Sequence, residues 1–207
     1  MPSSQPLRKP QPTRRTLLGA GAAGAALALS YPRTWAAQDA EAEGLLRQGG
    51  VVAAFRHSLA PGTFDPPGFR LDDCRTQLNL NDAGRAQARS VGAWFRQRQL
   101  QPGKVLSSPW CRCVDSATLA FGGTPHVWAA LGSPRGSPET TGSQHLQELR
   151  AALVAASARP GVFDVWFTHM FVLSDLAGSN TSSGEGLILR AGANGKADVL
   201  ARLMIAA

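Results

Sequence analysis

Three short apolar runs in this 207-residue chain end in side chains able to do chemistry. Val51-Val52-Ala53-Ala54-Phe55 leads into Arg56-His57. The run from Lys104 to Ser107 leads through Ser107-Ser108-Pro109 to Arg112, at the start of a helical pattern. Val162-Phe163-Asp164-Val165-Trp166-Phe167-Thr168 ends at His169. Functional groups in open α/β folds collect beyond the carboxyl ends of the strands. Arg56, His57, Arg112 and His169 are therefore expected in one cationic pocket. Arginine presents a planar fork of donors that matches phosphate oxygens, so the ligand such a pocket predicts is a phosphate.

The elements that must position these groups alternate between short apolar runs and longer amphipathic stretches, as in an α/β domain. A helix is expected over Ala40 to Arg47, stopped by Gly49-Gly50, before a strand at Val51–Phe55 that reads as buried on both faces. From His57 to Asn79 the chain is rich in Pro, Gly and Asp and reads as loop. Asn81 caps a helix that lines up Ala88, Val91 and Phe95. A strand at Lys104–Ser107 and a helix at Cys111–Phe121 follow. Residues 131–143 read as a Gly/Pro/Ser loop, Gln144–Ala156 as a helix and 162–168 as a strand. A short helix at Phe171–Leu176 and strands near Leu187–Arg190 and Asp198–Met204 complete the pattern. The fold expected is a three-layer α/β sandwich, a mostly parallel central sheet with helices on both faces.

The amino-terminal stretch is expected to lie outside that fold. Arg8, Lys9, Arg14 and Arg15 precede an uncharged run from Leu17 to Ser30, too short to span a bilayer but suited to a secretory signal. Thr13-Arg14-Arg15-Thr16-Leu17-Leu18 resembles a twin-arginine export signal, with Leu17 where Phe is usual, and Thr34-Trp35-Ala36 offers a small-residue cleavage site. The expected division is a signal at 1–36, recognised by the twin-arginine export machinery, and one domain at 37–207 in the periplasm or outside the cell. No membrane span is expected after cleavage. The formal charge of +7 shrinks accordingly: residues 1–36 hold five of the 21 basic residues and none of the 14 acidic ones. The remainder has sixteen basic and fourteen acidic residues, a formal +2. A pI near 10.3 thus reports the leader and scattered arginines rather than a nucleic-acid binder. Cys74, Cys111 and Cys113 lack the ligand spacing of a zinc site. In an oxidising compartment Cys74 pairs with Cys111 or Cys113, leaving one thiol free.

The ordered set of motifs resembles the histidine phosphatase superfamily, which includes the phosphoglycerate mutases. Arg56-His57-Ser58 is similar to its Arg-His-Gly signature. Ser107-Ser108-Pro109-Trp110-Cys111-Arg112 is similar to its Ser-Ser-Pro-x-x-Arg helix opening, and Thr168-His169 to its second histidine. Leu80-Asn81-Asp82-Ala83-Gly84-Arg85-Ala86-Gln87-Ala88 resembles the helix start placed between the first two motifs. The resemblance implies that neutral His57 attacks phosphorus to give a phosphohistidine that water hydrolyses. Arg56, Arg112 and His169 then hold the phosphoryl oxygens, and no metal or organic cofactor is needed. Ser58 and Met170 stand where the family usually has Gly, and both would narrow the pocket or alter substrate choice.

A leaving alkoxide needs a proton donor within hydrogen-bond reach. Glu139, in the loop where many relatives place their acid, and Glu185, shortly after His169, are the two candidates. Asp72 and Asp73 lie in the long loop and are as suited to turns. The function expected is hydrolysis of a phosphomonoester on a small or envelope-linked molecule, lipopolysaccharide-type phosphates included. The alternatives are a degenerate phosphate- or phosphosugar-binding module and a phosphohistidine phosphatase.

Overall fold

The computed structural model describes Met1 and residues 35–133, 141–193 and 195–205. Residues 2–34 of the expected leader, and the candidate acid Glu139, lie outside the described residues. Among the described residues six strands form one sheet: β1 (Val51–Arg56), β2 (Lys104–Ser107), β3 (His126–Val127), β4 (Phe163–Thr168), β5 (Gly186–Ala191) and β6 (Ala197–Leu203). Their order is β3-β2-β4-β1-β5-β6. The first four in that order are parallel, whereas β5 is antiparallel to both of its neighbours. The sheet is therefore mostly parallel. The two-residue β3 was not expected, because so short a run carries no periodic signal.

Alternate residues of the central strands point to opposite faces. Val51, Ala53 and Phe55 of β1 join Phe163, Val165 and Phe167 of β4 in one core cluster. There they meet helices α1 (Trp35–Gln48), α2 (Asp82–Gln97) and α3 (Cys111–Phe121). Val52, Ala54 and Trp166 face the other side, against α4 (Ser143–Ser157) and α5 (Met170–Ala177). The three-layer sandwich is as expected, and all these elements lie within the unit Arg33–Ala207. Helix α1 starts five positions before the expected Ala40, so the expected cleavage point falls at its first turn. No helix of the described residues is long and apolar enough to cross a membrane.

Strand register sets the position of the two histidines. Phe55 pairs with Phe167 and Arg56 with Thr168, while Ser107 of β2 pairs with the same Phe167. The ladder continues one step past the strands: His57 N–H donates to Thr168 O at 2.9 Å and Ser108 N–H to Phe167 O at 2.9 Å. His57, Ser108 and His169 thus leave three adjacent strands at one level. Beneath them Phe55 stacks on Phe167 with ring centroids 5.5 Å apart, and Phe95 meets the edge of Phe55 at 6.1 Å. Rings in contact form a stiff floor, since interiors pack at crystal-like density.

The start of α2 positions the chain after His57. Asn81 Oδ1 accepts from Gly84 N–H at 2.8 Å, a side-chain N-cap. Gly84 is required by close approach, because a Cβ there would lie 2.1 Å from Leu59 O. Gln87, one turn on, accepts from Leu59 N–H at 3.1 Å and donates to Ser183 O at 2.8 Å. The Asn-x-x-Gly-x-x-Gln spacing places a cap, a close contact and a two-ended tether on one side of the helix. That side holds the His57 loop.

Candidate active site

His57, at the carboxyl end of β1, is 7% exposed. Its Nδ1 lies 2.8 Å from Ser58 O. A carbonyl can only accept, so Nδ1 carries the proton and Nε2 keeps its lone pair. Nε2 accepts from Arg112 Nε–H at 3.3 Å. His169 is the N-cap residue of α5, with its ring centroid 5.4 Å from that of His57. Its Nε2 lies 2.8 Å from Ser108 Oγ. Arg56 donates through Nη1 to Thr181 O at 2.9 Å, and its Nε is buried without a partner among the described residues. Arg56, His57, Arg112 and His169 line one cavity with Ala60, Leu78 and Met170. The four expected groups therefore converge. The cavity is about 20 Å³, room for about one water.

The structure adds a residue that sequence reading missed. Arg112 Nη1 donates to both oxygens of Asp65, at 2.9 and 3.1 Å, in a pair whose side chains are 6% and 7% exposed. Asp65 also accepts from Leu78 N–H at 2.8 Å and from Trp110 Nε1–H at 2.9 Å. It belongs to the long loop after His57, which is fastened to the start of α3. Cys111 N–H donates to Gln77 Oε1 at 3.0 Å, and a disulfide joins Cys74 to Cys111. Of the two pairings open to Cys74, the structure thus selects Cys111. Cys113, two positions along the helix, is buried beside Thr168 O and His169, and burial pushes its thiol pKa up to about 12. Asp65 and Arg112 are 47 residues apart. Only the loop-rich composition around Asp65 could have pointed to it, and composition does not give a partner.

Glu185 lies apart from the four converging groups. One carboxylate oxygen accepts from Arg202 at 2.5 Å and the other from Ser182 N–H at 2.7 Å. It closes the turn before β5 and is not among the residues lining the cavity. Both oxygens are held by donors, and the structure does not bring Glu185 to the cavity with the four converging groups. Asp73 caps a 3-10 turn at Cys74–Thr76 and pairs with Arg70 and Arg75, a turn role as expected. Asp72 projects into solvent beside Arg70. Ser58, where a glycine is usual, has a buried hydroxyl without a partner among the described residues, while its N–H donates to Ser116 Oγ at 3.0 Å. Met170 lines the cavity, as the narrowing expectation requires.

Burial, then the charges of Arg112 and Arg56, hold the His57 imidazole pKa down at about 3, well below the ordinary 6.5. Burial and the neighbouring His57 and arginines lower His169 as well. Both rings are neutral at neutral pH, the state a nitrogen nucleophile needs. The unfolded chain takes up a proton near pH 6.5, but the folded His57 does not until about pH 3. Stability is therefore lost as pH falls through that window. Urea unfolding at pH 7 and pH 5 should show the wild type losing about 2 kcal/mol more than His57→Gln. Equal losses would mean that His57 is not held neutral by its surroundings.

The sequence profile of the histidine phosphatase superfamily (branch 1) matches residues 72–132, a stretch with Arg112 and its motif but neither His57 nor His169. No curated protein matches. Among solved structures, the protein histidine phosphatase SixA complexed with tungstate is 14% identical, with a TM-score of 0.51. The match covers 74% of this chain and 96% of that one. Phosphoserine phosphatase from Entamoeba histolytica, in complex with 3-phosphoglyceric acid, is 12% identical with a TM-score of 0.54, covering 74% and 96%. An open reading frame product of Mycobacterium tuberculosis is 18% identical with a TM-score of 0.51, covering 72% and 94%. At such identities the likeness is one of fold. The profile match and the shared fold both support an assignment to the histidine phosphatase superfamily.

Proposed function

We propose that this protein is a phosphomonoester hydrolase working through a phosphohistidine at His57, without a metal or organic cofactor. The family match supports phosphatase activity. The observation that carries the finer reading is the direction of His57 Nε2: unprotonated, against Arg112 Nε, in the cavity shared with Arg56 and His169. In this reading Nε2 forms a bond to phosphorus as the ester P–O bond opposite it breaks. Arg56, Arg112 and His169 offset the charge on the equatorial oxygens, the main task in phosphoryl transfer. Water then cleaves the phosphohistidine and frees His57. No carboxyl group among the described residues lines the cavity. Ser133 does, and Glu139, six positions further on, is the acid this reading retains.

The described walls beyond the cationic groups are Ala60, Gly62, Thr63, Leu78, Ser133, Met170 and Phe171, all uncharged. They suit a substrate whose single phosphoryl group carries the recognition, on a small or envelope-linked molecule. A binding module is the second reading, favoured by the small cavity and the lack of a carboxyl group on its described walls. We further place the protein in the periplasm, exported by the twin-arginine machinery. The Cys74–Cys111 disulfide supports an oxidising compartment. Cell fractionation should find the chain in the periplasm and, with Arg14→Lys and Arg15→Lys together, in the cytoplasm. Cytoplasmic wild-type protein would contradict export.

Hydrolysis of p-nitrophenyl phosphate in the presence of a chelator tests the enzymatic reading. Turnover should persist in the wild type, fall at least about a thousandfold in His57→Ala, and fall about 10²–10³-fold in Arg112→Ala. A folded wild type that binds phosphate without turnover establishes the binding module instead.

A further inference from the structure

The Asp65–Arg112 pair has no place in the motifs that define the site. Arg112 offers five N–H donors in a fixed plane, and the structure divides them. Nη1 is taken by Asp65, with Leu78 O at 3.4 Å. Nε points at His57 Nε2, and Nη2 has no partner among the described residues. The Nε–Nη2 edge is the one that can hold two oxygens of a phosphoryl group in front of the nucleophile. Asp65 is on the far side of the guanidinium from that edge and is not part of the cavity wall, which Arg112 is. A carboxylate competing with phosphate would instead sit on the Nε–Nη2 edge.

We propose that Asp65 is the positioning residue of the phosphate fork: it holds Nη1 so that the Nε–Nη2 edge of Arg112 faces His57. This rests on the reading that the pocket binds phosphate. The loop that carries Asp65 is held for the purpose at several points. The Cys74–Cys111 disulfide and the Gln77–Cys111 hydrogen bond fix the loop to the turn that opens α3. Trp110, in that same turn, holds an Asp65 oxygen. Arg112, two residues further on, then meets a carboxylate whose direction is already set. Without it, only the longer contacts to Leu78 O and His57 would hold the side chain before substrate binds, and substrate would have to order the rest at a cost in conformational entropy.

Calorimetric titration of the full chain with inorganic phosphate tests this in wild type, Asp65→Asn, Arg112→Ala and the double variant. Asparagine keeps an oxygen for Leu78 N–H but removes the negative charge that faces Nη1. The phosphate Kd should rise about tenfold in Asp65→Asn. In the Arg112→Ala background the same change should alter Kd by less than about twofold, because the effect acts only through the guanidinium. Trp110→Phe, which frees one Asp65 oxygen and leaves the disulfide in place, gives a smaller loss in the same direction and serves should Asp65→Asn not fold. An unchanged Kd, tighter phosphate binding (the sign of a competing carboxylate), or equal losses in both backgrounds overturns the proposal. Because the readout is binding, wild-type protein that binds phosphate but hydrolyses nothing defeats only the enzymatic reading. Wild-type protein that fails to bind phosphate defeats both.

Discussion

A guanidinium that is 6% exposed has lost nearly all its water, and Arg112 must recover that cost from the protein. Among the described residues one carboxylate does so, Asp65, and removing one partner of such a buried pair costs about 3–5 kcal/mol. Much of the site's design follows from this pair. A carboxylate has to be delivered from outside the sheet, which calls for the long loop after His57. The loop has to be held, and the Cys74–Cys111 disulfide does that over a separation of 37 residues. Restricting the unfolded chain over that length stabilises the fold by roughly 4 kcal/mol. The other groups are accommodated by staying neutral: both histidines are held in their uncharged forms beside the two arginines.

The sheet supplies the remaining precision. Because β4 lies between β1 and β2, the ends of three neighbouring parallel strands deliver His57, His169 and the Ser108–Arg112 turn to one level. Rings of Phe55, Phe95 and Phe167 below that level leave little freedom for a shift. Side-chain demands above the sheet and packing demands below it are met by alternate residues of the same strands. A one-residue slip of β1 would bury Arg56 in place of Phe55, so the site and the core enforce the same register.

What the sequence makes legible is local or periodic. The apolar runs of β1 and β4, the Asn81 cap and the extent of α3 are readable because each is decided by residues within a few positions of itself. The convergence of His57, Arg56, Arg112 and His169 is readable because parallel strands put their carboxyl ends on one edge. The order β3-β2-β4-β1-β5-β6 is not readable from periodicity, which says nothing about neighbours. Asp65 fails for the same reason: its meaning comes from a partner 47 residues away. Cys111 and Cys113 are equivalent in sequence. One faces the loop and the other the sheet, a choice made by helical phase and the position of the loop. Glu185 is attractive by proximity to His169, yet Arg202, on β6, claims its carboxylate.

The central claim is that His57 itself accepts the phosphoryl group, and trapping that adduct tests it most directly. The protein would be mixed with a phosphorus-labelled phosphomonoester, quenched in alkali within milliseconds, and the label located by peptide mass spectrometry. The account predicts an acid-labile, alkali-stable phosphoryl group on the peptide containing His57, absent in His57→Ala. Label on another residue, or turnover with no labelled intermediate, would contradict it.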